Sequence, residues 1–242
     1  MATRTVRWVL RYRPGQRVVH WLHAGAFFVL LITGLALIWP PLSFLAAGGL
    51  SRLLHRVAAV IFLLTPALYA LLDFRGLRDL IRDSFTYTRE DLEWLKGFPG
   101  YFLGRTSHLP PQGRVNAGQK IHHALTIIAY FAISGSGLAL WLGKGSLGPT
   151  GLLAATLVHD LSMTLMAILT VGHIYFTFVY DALPAMTTGY VSEEYARMEH
   201  ALWLASIPQE PPYVIEVQEE IPEPRRVPGA RAEEEAEEEA VG

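Results

Sequence analysis

Apolar positions in this chain fall in long unbroken runs, not in alternating or one-sided stripes. Between Arg17 and Arg52 lie 34 residues without Asp, Glu, Lys or Arg. A helix crossing a bilayer takes about 20 mostly apolar residues. Four stretches reach that length: residues 18–39, 51–72, 120–142 and 151–180. The second is fully uncharged only over 57–72, which puts its start at the headgroup level. The fourth is long enough to tilt or to extend past the bilayer. Inside lipid every backbone polar group must be satisfied within the segment, so these runs are predicted to be helices. The expected fold class is an all-α membrane protein with a four-helix transmembrane bundle over residues 18–180.

Composition agrees. The chain has 242 residues, 51% hydrophobic and only 17% charged, against about 25% charged in an average soluble domain. The net charge of −2 hides a segregation: 14 of the 22 acidic residues lie from Glu193 onward, while residues 1–17 hold five Arg and no acid. Lys and Arg accumulate on the cytoplasmic side of membrane spans. They crowd the 1–17 arm and the 73–119 loop, whereas 40–50 has none and 143–150 has only Lys144. Both termini and the 73–119 loop are therefore expected in the cytoplasm, with the two short connections outside. The basic start and the Ala46–Ala47–Gly48 site resemble a signal peptide. The apolar run is long for one, and its removal would leave an odd number of spans, so it is read as retained.

Residues 76–95 mix charge and apolar positions with helical spacing until Gly97–Phe98–Pro99–Gly100 breaks it. Residues 181–206 form a post-membrane segment. Six prolines from Pro208 to Pro228, then the Glu/Ala run at 231–240, predict a disordered, solubilising tail over 207–242. No internal repeat stands out.

Cysteine is absent, which excludes disulfides, iron–sulfur ligation and covalent haem attachment on this chain. Histidines remain, and an ionisable residue inside a span is a functional candidate. His20 opens the first helix on the inner side, and His55 opens the second on the outer side. His159 and His173 lie on the fourth. Fourteen residues of helix rise about 21 Å and return within about 40° of the same face, so these two share a stripe at two depths. His159 matches His55 outside and His173 matches His20 inside. Two such pairs suit two six-coordinate b-type haems held between facing helices. Arg17 beside the inner pair, and Arg52 and Arg56 beside the outer one, suit haem propionates. Gly25, Gly34, Gly135, Gly137 and Gly172 suit close approach of a porphyrin or of another helix. His23, one turn from His20, competes as the inner ligand. His122 and His123 read as interface or quinone-proximal groups, and His108 and His200 as solvated loop residues. Asp160 adjoins His159 but points about 100° away.

These residues resemble a family: the membrane cytochrome b (gamma) subunits of respiratory formate dehydrogenases, within a wider group from hydrogenases and thiosulfate reductases. The resemblance rests on Arg17-Val-Val-His20-Trp21 with Thr33-Gly34, Arg52-Leu-Leu-His55, Asn116-Ala-Gly-Gln-Lys120, and His159 followed by His173-Ile-Tyr175. The stretch from Met186 to Arg197 adds to it, so residues 10–205 are covered. The Asn116–Lys120 string is its most specific element. The resemblance implies two haem b, with His55 and His159 holding the outer and His20 and His173 the inner. It also implies a quinone site near the inner haem at Asn116 and Gly118.

The expected function is electron transfer across the bacterial inner membrane, from a periplasmic iron–sulfur subunit to menaquinone or ubiquinone. A separate catalytic subunit would carry out dehydrogenation. Formate is the expected donor and hydrogen the alternative. Quinone and membrane lipid are the further expected partners, and nucleic acid is not. A histidine-lined metal or proton transporter would gather its histidines at mid-membrane, and a haem-free anchoring subunit would not need them.

Overall fold

The structure, a computed structural model, describes residues 2–106, 108–143 and 145–221. In chain order its elements are β1 (Ala2–Leu10), α1 (Pro14–Ile38), a 3-10 segment (Pro40–Gly49), α2 (Leu50–Phe85), α3 (Arg89–Lys96) and α4 (Phe98–Phe102). They continue with α5 (Ala117–Leu142), α6 (Pro149–Val179), α7 (Pro184–Thr187), β2 (Tyr190–Ser192), α8 (Glu193–Ser206) and β3 (Val214–Ile221).

The four apolar runs are carried by α1, α2, α5 and α6, each long and apolar enough to cross a membrane. The 26 residues of α5 span about 39 Å at the helical rise, more than the hydrocarbon core of about 30 Å. Leu64, Phe131, Leu161 and Ile168 are each at least 60% exposed, an outward apolar surface that suits lipid and not water. Ala26, Phe27, Phe62, Ala129 and Met166 form the core between the helices. Packing joins α1 to α2, α5 to α6 and α2 to α5, while α1 and α6 hardly touch.

Local chemistry sets the boundaries. Pro14 starts α1 with its φ already helical, and α1 stops at Trp39, the residue before Pro40. The sequence closes the second span at residue 72; α2 continues beyond it to Phe85 but is kinked just there. Asp73 leaves helical geometry (φ −155°, ψ 73°). Its Oδ1 accepts from the Gly76 N–H at 2.8 Å and caps the helix that resumes beyond it. A Cβ on Gly76 would lie 2.3 Å from Asp73 Oδ2, so a larger residue there would push the capping carboxylate aside. The helical pattern expected over 76–95 is split by residues 86–88, where Thr88 begins α3.

The all-α expectation needs one correction. At the end of the bundle where the chain enters and leaves, β1 pairs antiparallel with both β2 and β3, in the order β2-β1-β3. The register runs from Ala2↔Ile221 to Val9↔Val214 on one side and from Trp8↔Ser192 to Leu10↔Tyr190 on the other. So the basic arm is a strand, not an appendage, and Val214–Ile221 is not the disordered tail predicted for 207–242. The reason is complementarity between two segments of opposite charge. Arg7 lies 2.9 Å from Glu193 and 3.9 Å from Glu216, and Val9, Val191 and Val214 are buried beneath. The remainder of the predicted tail, residues 222–242, and Lys144 lie outside the described residues. Beneath this sheet a second core gathers Val9, Trp94, Tyr101, Ala117, Tyr195 and Leu204. The bundle thus has a sheet end and, opposite it, a turn end formed by the short connections at 39–49 and 143–148.

Candidate functional site

The structure brings the four predicted histidines together as two pairs. The rings of His20 on α1 and His173 on α6 have centroids 6.3 Å apart, near the sheet end. Those of His55 on α2 and His159 on α6 are 6.4 Å apart, near the turn end. Both pairs bridge the slot between the α1–α2 and α5–α6 layers. An iron held between two imidazoles, with bonds of about 2.0 Å and ring nitrogens about 1.1 Å from their centroids, places the centroids about 6.2 Å apart. The donor sets therefore fit bis-imidazole haem ligation at both ends.

The glycines divide into two groups. A Cβ on Gly34 would meet His55 Cε1 at 3.5 Å, and one on Gly137 would meet His159 Cε1 at 3.1 Å. Gly25, Gly135 and Gly172 face open space. The first distance is ordinary contact, and the second forces the ring to move. Gly137→Ala is accordingly expected to lower cofactor occupancy at the turn end while Gly34→Ala leaves it near wild type, read as bound haem per protein.

The cationic candidates sit at both ends. Arg52 and Arg56 are exposed at the turn end, and the Arg56 guanidinium lies 5.6 Å from the Trp141 ring centroid. Arg17 Nη1 donates to the Thr188 carbonyl at 2.7 Å, while its Nε is buried with no hydrogen-bond partner among the described residues. Together with Trp21 Nε1, which donates to the Met186 carbonyl at 2.9 Å, it ties α1 to α7 and the residue that follows it. His23 does not join His20. It stacks on Phe62 at 4.2 Å, inside the bundle core. His122 stacks on His173 with centroids 5.4 Å apart, and His123 lies beside it.

The string from Asn116 to Lys120 has a local account for every residue. Asn116 caps α5: its Oδ1 accepts from the Gln119 N–H at 2.8 Å, and Gln119 Oε1 accepts from the Asn116 N–H at 3.2 Å. The Ala117 N–H is taken by Gln112 Oε1 at 3.0 Å. A Cβ on Gly118 would lie 3.0 Å from the Trp94 ring, so this glycine admits the indole. Lys120 pairs with the buried Asp91 at 2.7 Å. Asn116 itself is 1% exposed, and its Nδ2 donates to Glu199 Oε2 at 2.8 Å. Its carboxamide is thus committed at both ends.

Glu199 and His200 were not legible as buried groups. His200, expected in a solvated loop, is fully buried in α8. Its Nδ1–H donates to the Gly113 carbonyl at 3.0 Å, and its Nε2 lies 3.3 Å from Arg11 Nη2, which also donates to the Arg114 carbonyl. Burial, then the Arg11 charge, hold this imidazole well below its usual range, against the Gly113 bond. Glu199 Oε2 also accepts from the Tyr101 hydroxyl at 3.0 Å. Burial raises its carboxyl above the usual range, opposed by the bonds from Tyr101 and Asn116. His108 is exposed, as expected.

Four apolar helices with paired imidazoles between them define a membrane cytochrome b. Residues 11–189 match the prokaryotic cytochrome b561 family, and the chain belongs to it. It is a multi-pass protein of the bacterial inner membrane, and membership implies haem b. The chain is 23% identical over 202 residues to the formate dehydrogenase cytochrome b556 subunit of Haemophilus influenzae, covering 81% of this chain and 82% of that protein. It is 23% identical over 208 residues to the formate dehydrogenase cytochrome b556(fdo) subunit of Escherichia coli K12, covering 82% and 93%. The nitrate-inducible cytochrome b556(Fdn) subunit of the same strain is 22% identical over 206 residues, covering 82% and 91%.

Proposed function

We propose that this chain is the dihaem cytochrome b subunit of a formate dehydrogenase. It passes electrons from a periplasmic iron–sulfur subunit to menaquinone or ubiquinone, with formate oxidised on a further subunit. The observation that carries the reading is the double pairing of imidazoles at 6.3 and 6.4 Å, at opposite ends of one bundle. The names of the relatives supply formate as the donor. Bound haem supplies one-electron carriers at the two ends.

The residues of this chain do the rest. His55 and His159 would hold the outer haem, with Arg52 and Arg56 at the same end to offer positive charge to its propionates. His20 and His173 hold the inner group beside Arg17. The apolar helix faces keep water out of the slot, which favours electron passage over side reactions. By the excess of Lys and Arg, the sheet end faces the cytoplasm. The quinone binds at that end, near His173 and the start of α5. With its carboxamide committed, Asn116 serves that site by holding the first turn of α5 and Glu199 in place, and Gly118 by seating Trp94. Protons for the quinol enter from the cytoplasm, so turnover builds a protonmotive force. Histidine pairs set apart at two depths favour this reading over a transporter, whose ligands meet at mid-membrane.

A pyridine haemochrome assay on the purified protein tests the proposal. Two b haems per chain are expected. A protein free of haem after expression with its partner subunits in a haem-replete host overturns it.

A further inference from the structure

We propose that Thr33 and Ser136 fix the tautomer of the two turn-end histidines and lower the reduction potential of the haem they hold. This rests on reading His55 and His159 as haem ligands. Thr33 Oγ1 donates its one proton to the Val29 carbonyl at 2.6 Å, with the Leu30 carbonyl at 3.3 Å. Ser136 Oγ donates to the Ala132 carbonyl at 2.7 Å, with Ile133 at 3.1 Å. A hydroxyl whose proton is committed can only accept from another partner. Each meets an imidazole Nδ1: His55 at 2.9 Å and His159 at 3.3 Å. The Nδ1 atoms therefore carry the protons, and both Nε2 atoms are left as lone pairs for iron.

The same device occurs twice, on α1 and on α5. On α5 the carbonyl three residues before the hydroxyl, that of Ile133, also accepts from the His159 ring at 3.2 Å. In each, the next residue is a glycine whose Cβ position faces the ring, Gly34 or Gly137, though only Gly137 is close enough for a Cβ to crowd it. Both hydroxyls are buried, away from competing water. The sheet end lacks this arrangement on His20, whose Nδ1 is buried with no hydrogen-bond partner among the described residues. An acceptor on Nδ1–H makes the imidazole a stronger electron donor, which favours ferric iron. The supported pair is thus the lower in potential.

The test is a redox titration of the purified, haem-loaded protein. The component lost in His159→Ala identifies the turn-end haem. In Thr33→Val combined with Ser136→Ala, that component is expected to shift upward while the other stays. Thr33→Ser, which keeps the hydroxyl, should titrate like wild type. An unmoved potential with both haems retained overturns the proposal, as does Thr33→Ser shifting as far as the double variant. If the double variant loses the haem, retention in Thr33→Ser supports a role for the hydroxyl, and loss there too overturns it. A wild-type protein with no haem at this pair fails the parent reading instead, a result seen before any variant is made.

Discussion

His159→Ala is expected to leave one b haem per chain and to bring quinone reduction by the assembled complex down to background. Alanine offers no lone pair, and no neighbour replaces it. Asp160 is displaced about 100° around the helix, and His55 alone would hold the group through one ring where the pair, with centroids 6.4 Å apart, would hold it through two. The sheet-end pair lies fourteen residues along the same helix and keeps its own ring spacing of 6.3 Å, so its haem should remain. His23→Ala is the control. That ring stacks on Phe62 at 4.2 Å and faces no partner histidine at ligating distance, so both haems should survive its loss. Pyridine haemochrome content and quinone reduction in the complex are the two readouts. Two haems in His159→Ala would remove the basis for the outer site.

Glu199→Ala is expected to loosen the sheet end strongly, and Glu199→Gln is not. Removing the carboxylate strands the Tyr101 hydroxyl and the Asn116 amide, both buried donors to Oε2. Each orphaned group costs about 1–3 kcal/mol, so a loss of about 2–6 kcal/mol follows for the alanine variant. Glutamine keeps an acceptor oxygen and removes the titration. Because the folded carboxyl sits above its usual value of 4.5, its stabilising share is complete below about pH 4.5. It is lost as pH rises toward the folded value. The Gln variant should therefore gain on wild type as pH rises above about 4.5. His200 has the opposite sign. Its folded pKa is depressed below 6.5, so its share is present above about pH 6.5 and declines as pH falls. Thermal melting of the detergent-solubilised protein across pH reads both slopes, and parallel curves for wild type and Glu199→Gln would count against this account.

The spans and histidine pairs were legible because they rest on local periodicity. Run length marks a bilayer helix, and a fourteen-residue interval returns to one face. Asp73, the charge that closes the second apolar run, coincides with a kink in α2, which continues to Phe85. The sheet was not legible. Its strands are separated by the whole bundle, and the charge runs that looked like solvated ends are what brings β1 beside β3. His200 was misplaced for the same reason. The groups that bury it, Arg11 and the Gly113 carbonyl, come from distant parts of the chain. Asn116-Ala-Gly-Gln-Lys120 stood out as a motif, but its partners Trp94, Asp91 and Glu199 emerge only with the fold. The roles of Thr33 and Ser136 were half visible. Thr33-Gly34 belonged to the resemblance, but its likeness to Ser136-Gly137 gains meaning only when both hydroxyls meet a ring nitrogen.

The pairing of β1 with β3 also acts as a check on membrane insertion. One strand precedes all four spans and the other follows them, so they reach the same side only if an even number of helices has crossed. A chain that skipped one span would leave its two strands separated by lipid, with β1 unable to find its partner. Arg7 would lack Glu216, and the valines of β1 and β3 would stay uncovered. Such a chain would present an open sheet edge and a bare apolar patch, the features by which quality control recognises a misassembled protein.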